Sequence, residues 1–440
     1  MRVILITAGA AGMYCGSCVR DNALAAELIS SGQDVTLIPV YTPTRTDEPN
    51  FSRHRVLFGG LSVYLQHHFS VFRRTPCFLD RLWDFPYLIN LLAGRSLSPD
   101  PSRLGALTIS MLRGEQGVLG KEYRKLIDWV SQEPVPDIIN LPNSLLIALA
   151  APLGKVLQRP VCCTLQGEEL FIEGLPKPFR EQTIDLIRRQ VRHVDRFIAV
   201  SEYSAGFMAE FLAIPSDRIS VVPLGINMTG YQRRQPSATP ENEFRIGFFA
   251  RVAPEKGLRE LTEAYIRFRR RTGQVRIRLE AAGYLAGHQR GYLNEVLAML
   301  KNAGLAKEFS YRGELDREGK LAYLSSLDLL SVPATYDEPK GMFLLEAMAS
   351  GVPVVEPRRG AFVEIVKKTG GGILVEPDDP DDLADAFFRL WQDRKAADNL
   401  AQCAFQGVRN HYTISQSATR LLKIYEEVLR YYAVAGSIHN

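Results

Sequence analysis

Six cysteines in 440 residues, two of them adjacent at Cys162 and Cys163 in an apolar stretch, do not make the spaced disulfide framework of a secreted scaffold. Charge of one sign is also scarce. Fifty-three Lys and Arg against 49 Asp and Glu leave a formal +4, too small an excess to argue for nucleic acid and compatible with an anionic ligand or weak membrane contact. Long apolar runs are missing too. The opening run of residues 2–7 meets Gly9 and polar residues too soon for a signal peptide or a spanning helix, so a cytoplasmic protein is expected, at most peripheral to the inner face of a membrane. No internal repeat of solenoid length and no low-complexity tract breaks the chain.

What is present is the composition of an ordinary globular protein, 46% hydrophobic and 23% charged. The length exceeds what one core usually organises, so two domains of about 200 residues each are expected. The chain opens with a strand over residues 3–7, glycines at 9, 12 and 16, an amphipathic segment over 22–31 and a second strand over 35–40. The GxxGxxxG spacing is not the dinucleotide fingerprint, and Pro39-Val40-Tyr41 replaces the acid that would end the second strand, which disfavours hydride transfer. Cys15-Gly16-Ser17-Cys18 forms a single CxxC without a second pair for zinc or a thioredoxin-like setting, and is read as small residues for close approach to a ligand.

Residues 42–125 read as an irregular insertion on the acceptor side, with paired His67-His68, Arg73-Arg74 and an apolar stretch over 85–93. Adjacent histidines point in different directions and make poor co-ligands, while the basic and aromatic mixture leaves membrane contact open. Strands and helices then alternate from Asp137 to Pro223, the grammar of a parallel sheet covered on both faces. Gln166, Ser201 and Gly225 fall at the carboxyl ends of those strands, where ligands sit in such folds. A polar, Pro-rich linker spans 227–243, a second domain 244–414, and a last helix 415–440. The first domain is taken as 1–226. In the second, a strand over 244–250 ends at Arg251, and Lys256-Gly257 leads into a helix: two cations at a strand end, suited to a diphosphate.

The most informative stretch runs from Tyr336 to Gly351. A strand over 329–333 and another after Val352 leave room for one helix starting at Gly341, whose free N–H groups and positive dipole end suit an anion. Glu338 lies in the loop before it, and Glu346 a turn and a half inside it.

These glutamates, with seven residues between them, resemble the signature of the retaining glycosyltransferases of family 4. The loop ending in Lys256-Gly257 resembles the same family's Gly-Arg-x-x-x-x-Lys-Gly motif, and Val200-Ser201-Glu202-Tyr203-Ser204 and Val222-Pro223-Leu224-Gly225-Ile226 also match; the likeness covers nearly the whole chain outside residues 42–125. Departures stand at Lys340 for an aromatic, Ala250 and Cys15 for glycines, and Gln166 for a histidine that helps hold the donor sugar. Gln166 can hydrogen-bond but carries no proton at neutral pH, so no histidine role is carried over.

The resemblance implies an α/β protein of the GT-B fold, with two Rossmann-like doubly wound parallel-sheet domains facing across a cleft and a last helix crossing back to the first domain. It implies a hexosyltransferase using a UDP-, GDP- or ADP-sugar, with a glycan, lipid or small-molecule acceptor, as in polysaccharide biosynthesis. Glu338 would contact the donor sugar, Glu346 the ribose, and Arg312-Gly313 would lie near the nucleobase, with Gly16, Gly225, Gly341, Met342 and Phe343 completing the donor site. Gln166 and Ser201 are placed on the acceptor side. Reaction with retention follows from the resemblance alone. No Asp-x-Asp stands at a strand end, Asp378-Asp379 and Asp381-Asp382 bracketing Pro380 at an expected helix cap, so no metal or other cofactor is expected and Arg251 and Lys256 would stabilise the leaving diphosphate. Two alternatives stay open: a UDP-sugar 2-epimerase of the same fold, and a non-catalytic nucleotide-sugar-binding or redox-sensing protein.

Overall fold

The computed structural model describes residues 1–9, 16–53, 66, 101–233, 243–273 and 275–438. Cys15, His67-His68, Arg73-Arg74, the stretch 85–93 and the Pro-rich segment 235–240 lie outside the described residues. The chain divides into two compact units, Met1–Pro223 with Ser417–Asn440, and Leu224–Gln416. Each is built on a six-stranded parallel sheet. Among the described residues no helix is long and apolar enough to cross a membrane.

In the first unit β1 (Arg2–Thr7), β2 (Asp34–Pro39), β3 (Ile138–Leu141), β4 (Val161–Leu165), β5 (Arg196–Ala199) and β6 (Ile219–Val221) lie in the order β2-β1-β3-β4-β5-β6. The central strands are mostly apolar because helices cover both faces; β3 and β4 are buried from end to end, and their polar residues, Asn140 and Thr164, bond each other at 2.9 Å. Burial pushes the thiols of Cys162 and Cys163, on β4, far up, which leaves them inert. The region expected to be irregular up to residue 125 is instead regular from residue 101, with helices Pro101–Leu112 and Gly120–Gln132. Its apolar residues recur at helical spacing: Tyr123, Leu126, Ile127 and Val130 form one stripe sunk in the core with Met111, Leu112 and Leu119. The long apolar and basic stretch before it hid that period.

In the second unit β7 (Phe244–Phe249), β8 (Ile277–Ala282), β9 (Phe309–Tyr311), β10 (Leu329–Leu330), β11 (Val354–Pro357) and β12 (Gly372–Val375) lie in the order β12-β11-β10-β7-β8-β9. From β7 the chain moves outward through β8 and β9, then returns to β10 on the other side of β7 and continues outward. The order therefore reverses between β7 and β10, which pair directly through Leu329–Ile246 and Leu330–Gly247. At such a reversal ligands are bound at the carboxyl ends of the two strands. Helix Leu258–Thr272 buries Leu258, Leu261, Tyr265, Phe268 and Thr272, one face of a 3.6-residue repeat, with Phe268 edge-on to Phe387 at 6.2 Å. Asp379 caps helix Pro380–Gln392 by accepting from the N–H groups of Asp381 and Asp382, which accounts for that acidic cluster.

The start of the expected linker is not loose. Tyr231 is buried under the Arg317 guanidinium at 4.9 Å, and the same arginine donates to the Thr229 carbonyl at 2.7 Å, so residues 227–233 belong to the second unit. At the far end, Ser417 on the last helix, Ile414–Ile438, donates to the Pro223 carbonyl at 2.7 Å within the first unit.

Candidate functional site

The loops leaving β7 and β10 are stitched together. After β7 the chain makes a short turn, Pro254–Lys256, and enters the next helix through Gly257 with φ +77°. A Cβ there would lie 1.9 Å from the Pro333 carbonyl oxygen at the end of the β10 segment, so only glycine allows the close approach. The Thr335 N–H donates to the Glu255 carbonyl at 3.1 Å across the same seam. Gly257→Ala combines a left-handed alanine with that clash and is expected to cost at least about 3 kcal/mol. Urea unfolding measures it, and an unchanged midpoint would refute the seam.

This seam brings Lys256 to Glu338. The ammonium donates to Glu338 Oε2 at 2.5 Å and to the Tyr336 hydroxyl at 2.6 Å, and the Tyr336 hydroxyl itself donates to Glu338 Oε2. The Lys340 N–H donates to the other carboxylate oxygen at 3.2 Å. Lys256 also sits over the Tyr336 ring at 4.9 Å and the Phe343 ring at 5.5 Å. Burial by itself would raise the Glu338 carboxyl; the Lys256 ammonium, the Lys340 charge and the hydrogen bonds from Lys256 and Tyr336 outweigh it and hold it down to about 2. Glu338 is thus a buried, ionised carboxylate with only 2% of its surface exposed. Its backbone is held from behind: the Ala361 N–H donates to the Glu338 carbonyl at 2.8 Å, and Gly360, at φ +49°, leaves room where a Cβ would lie 2.4 Å from that oxygen.

Arg251 leaves the end of β7 with its side chain 46% exposed and paired with Glu255 at 2.6 Å. It shares the loop of Lys256 and lies close enough to Tyr336 for its charge to act on that phenol. Gly341 caps helix Met342–Ala349, so the expected helix start holds. Phe343 is buried edge-on to Phe362 at 5.8 Å. Glu346, inside that helix, pairs with Lys320 at 2.6 Å, both nearly buried. Arg312, following β9, donates to Glu280 Oε2 at 3.0 Å, and the Gly313 carbonyl accepts from the Gly283 N–H at 2.8 Å.

Behind the pair lies a second carboxyl. Glu356 on β11 is fully buried and accepts from the Val332 N–H through both oxygens, at 3.0 and 3.2 Å. Burial first, with the nearby Glu338 charge, raises it well above the ordinary carboxyl range. The folded protein therefore keeps a proton there that the unfolded chain loses above about pH 4.5, so this residue makes stability fall as pH rises. Glu356→Gln keeps an acceptor for Val332 and removes that cost. It is expected to be more stable than the parent at pH 8, with the gap shrinking toward pH 5, whereas Glu356→Met orphans the Val332 N–H and loses about 1–3 kcal/mol. Thermal melts across pH test this, and a Gln variant destabilised at pH 8 would contradict it.

The remaining candidates fall in different places. Gly16 is the exposed first residue of helix Gly16–Ser30, and a Cβ on it would meet nothing. Gln166 is buried at the end of β4, donating to the Pro142 carbonyl at 2.8 Å. Ser201 caps helix Glu202–Leu212 by accepting from the Ser204 N–H at 3.0 Å. Gly225 is buried in the second unit. Among the described residues no group of three or more His, Cys, Asp or Glu is arranged to hold a metal ion. Sequence reasoning missed Tyr336, Glu356, Lys320 and Glu280. Of these Glu356 left a signal, a charge following the apolar run Val352-Pro353-Val354-Val355.

Two families match. Residues 232–406 match the family described as Glycosyl transferases group 1, and residues 103–229 match Glycosyltransferase Family 4. The D-inositol 3-phosphate glycosyltransferase of Corynebacterium efficiens is 28% identical over 48% of this chain and 51% of its own length. The phosphatidyl-myo-inositol mannosyltransferase of Mycobacterium leprae is 26% identical over 68% of this chain and 73% of its own. The chain thus spans about half the length of the former. Anabaena HepE, crystallised with UDP and glucose, superimposes with a TM-score of 0.66 at 17% identity, covering 97% of this chain and 99% of that one, a likeness of fold. With two doubly wound parallel-sheet units and both family matches, the chain belongs to the family 4-like, group 1 glycosyltransferases of the GT-B fold.

Proposed function

We propose that this protein is a hexosyltransferase that moves a sugar, with retention, from a nucleoside diphosphate sugar to an acceptor hydroxyl, using side-chain cations in place of a metal to stabilise the leaving diphosphate. The observation that carries this reading is the Lys256–Glu338 pair at the reversal of strand order in the second unit. Cleaving the bond between the anomeric carbon and the diphosphate builds negative charge on the leaving oxygens. Lys256 and Arg251, on the loop after β7, are the cations suited to meet it. Glu338, ionised and held by three donors, would accept from sugar hydroxyls, and a fixed anion beside the anomeric carbon would favour the positive charge that develops there. Glu346 would take the ribose, and Arg312-Gly313 the base. UDP is the first nucleotide to test, because HepE was crystallised with it. The relatives that act on inositol phosphate or a phosphatidylinositol make a polyol or lipid-linked acceptor the first class to try.

The test is to incubate the protein with UDP-, GDP- and ADP-hexoses after EDTA treatment and follow nucleoside diphosphate release and product anomeric configuration. Release from one donor, unchanged by EDTA, with the α-configuration of the donor kept in the product, supports the reading. No release from any donor, or release only on adding divalent metal, refutes it.

A further inference from the structure

We infer that Tyr336 is a positioning residue, whose hydroxyl sets the Lys256 ammonium and the Glu338 carboxylate against each other and keeps Glu338 Oε2 hydrogen-bonded once a diphosphate draws on Lys256. This rests on the reading above. A phenol has one proton and two lone pairs. Here the oxygen accepts from Lys256 Nζ at 2.6 Å while the proton goes to Glu338 Oε2, the same atom that takes Lys256 at 2.5 Å. One carboxylate oxygen is thus served twice, by a mobile cation on a flexible stem and by a hydroxyl on a rigid ring two residues away in its own loop.

The asymmetry matters when a ligand arrives. A diphosphate with two or more negative charges competes with Glu338 for the ammonium, and any movement of Nζ toward it weakens the Lys256–Glu338 bond. The Tyr336 bond does not depend on Nζ. Tyr336 keeps its proton, because burial and the Glu338 charge both push the phenol far up. The groups facing this carboxylate are Lys256 from the loop after β7, Tyr336 and Lys340 from its own loop, and Glu356 from β11; Arg251 and Glu255 lie nearer the phenol. Among these side chains Tyr336 is the donor that carries no charge for the diphosphate to attract, and it serves Oε2, whereas the backbone N–H of Lys340 serves the other oxygen.

Tyr336→Phe removes the hydroxyl and keeps the ring. The full-length variant is expected to lose roughly 10- to 100-fold in kcat, the worth of a hydrogen bond to a charged group, with nucleoside diphosphate affinity within a few-fold of the parent. The acid limb of its kcat profile moves to higher pH. A kcat and acid limb equal to those of the parent would overturn the inference, as would a loss confined to KM. A second readout needs no turnover. Acid unfolding of the parent, Tyr336→Phe, Glu338→Gln and the double variant forms a cycle in which Tyr336→Phe moves the acid midpoint up in the parent and leaves it unchanged in the Glu338→Gln background. Equal effects in both backgrounds mean a purely structural role and refute the inference. If the parent turns over no nucleotide sugar, the functional reading fails while this cycle still decides whether Tyr336 acts on Glu338.

Discussion

Lys256→Met is expected to lower turnover by on the order of 10²–10³-fold, the effect of deleting one preorganised charge-stabilising group from an active site. Lys256 is singled out because its ammonium is the cation closest to Glu338 and lies mostly out of solvent, whereas Arg251 is half exposed and tied to Glu255. The same change strips a buried carboxylate of its charge partner, an act that costs about 3–5 kcal/mol where the pair is well buried. Tyr336 and the Lys340 N–H still donate to Glu338, so the lower end of that range applies. Steady-state rates and urea unfolding measure the two effects separately. A variant that keeps turnover within a few-fold, or loses it only in step with its folded fraction, would show that Lys256 holds the loop and does no chemistry.

Glu338→Gln is the second large effect, and it divides activity from fold. The amide keeps the shape and can accept from Tyr336, but offers no negative charge to the sugar, so turnover is expected to fall by about 10²-fold or more while nucleoside diphosphate binding stays within a few-fold. The stability signature has a definite sign. A carboxyl held at about 2 when folded, against 4.5 as a free side chain, contributes stability that is fully present above pH 4.5 and is lost as pH falls through 2, on the order of 3 kcal/mol in all. The Gln variant lacks that limb, and its unfolding free energy should change less than the parent's between pH 5 and pH 2. Glu356 acts in the opposite window, above 4.5, so the two variants should flatten opposite sides of the stability profile. An acid limb unchanged in Glu338→Gln would mean that the Lys256 pair does not set the ionisation of this residue.

Much of the second unit was legible because its signals are local. A helix beginning at Gly341, a turn carrying Lys256 into the helix after β7, and an Asp379 cap all follow from short-range chemistry, and the structure holds each of them. The direct pairing of β7 with β10 is a different matter. It joins residues more than eighty positions apart, and only that pairing turns two separate motifs into one site. The partners of the site were the least legible. Glu280 on β8 and Lys320 on helix Arg317–Ser325 read as stray charges in one dimension, and become intelligible only when Arg312 and Glu346 are seen against them. Tyr336 was in full view beside Glu338, yet nothing in the spacing tells an aromatic that fills space from one whose hydroxyl joins a cation to a carboxylate. In the first unit the apolar stripe from Tyr123 to Val130 was masked by the unpatterned stretch before it.

The most direct measurement is the crystal structure of the full-length protein with UDP. The β-phosphate is expected within hydrogen-bonding distance of Lys256 Nζ, with the Arg251 guanidinium turned from Glu255 toward it and the Tyr336 hydroxyl still on Glu338. A diphosphate bound away from Lys256 and Glu338, or reached only through a metal ion, would contradict it.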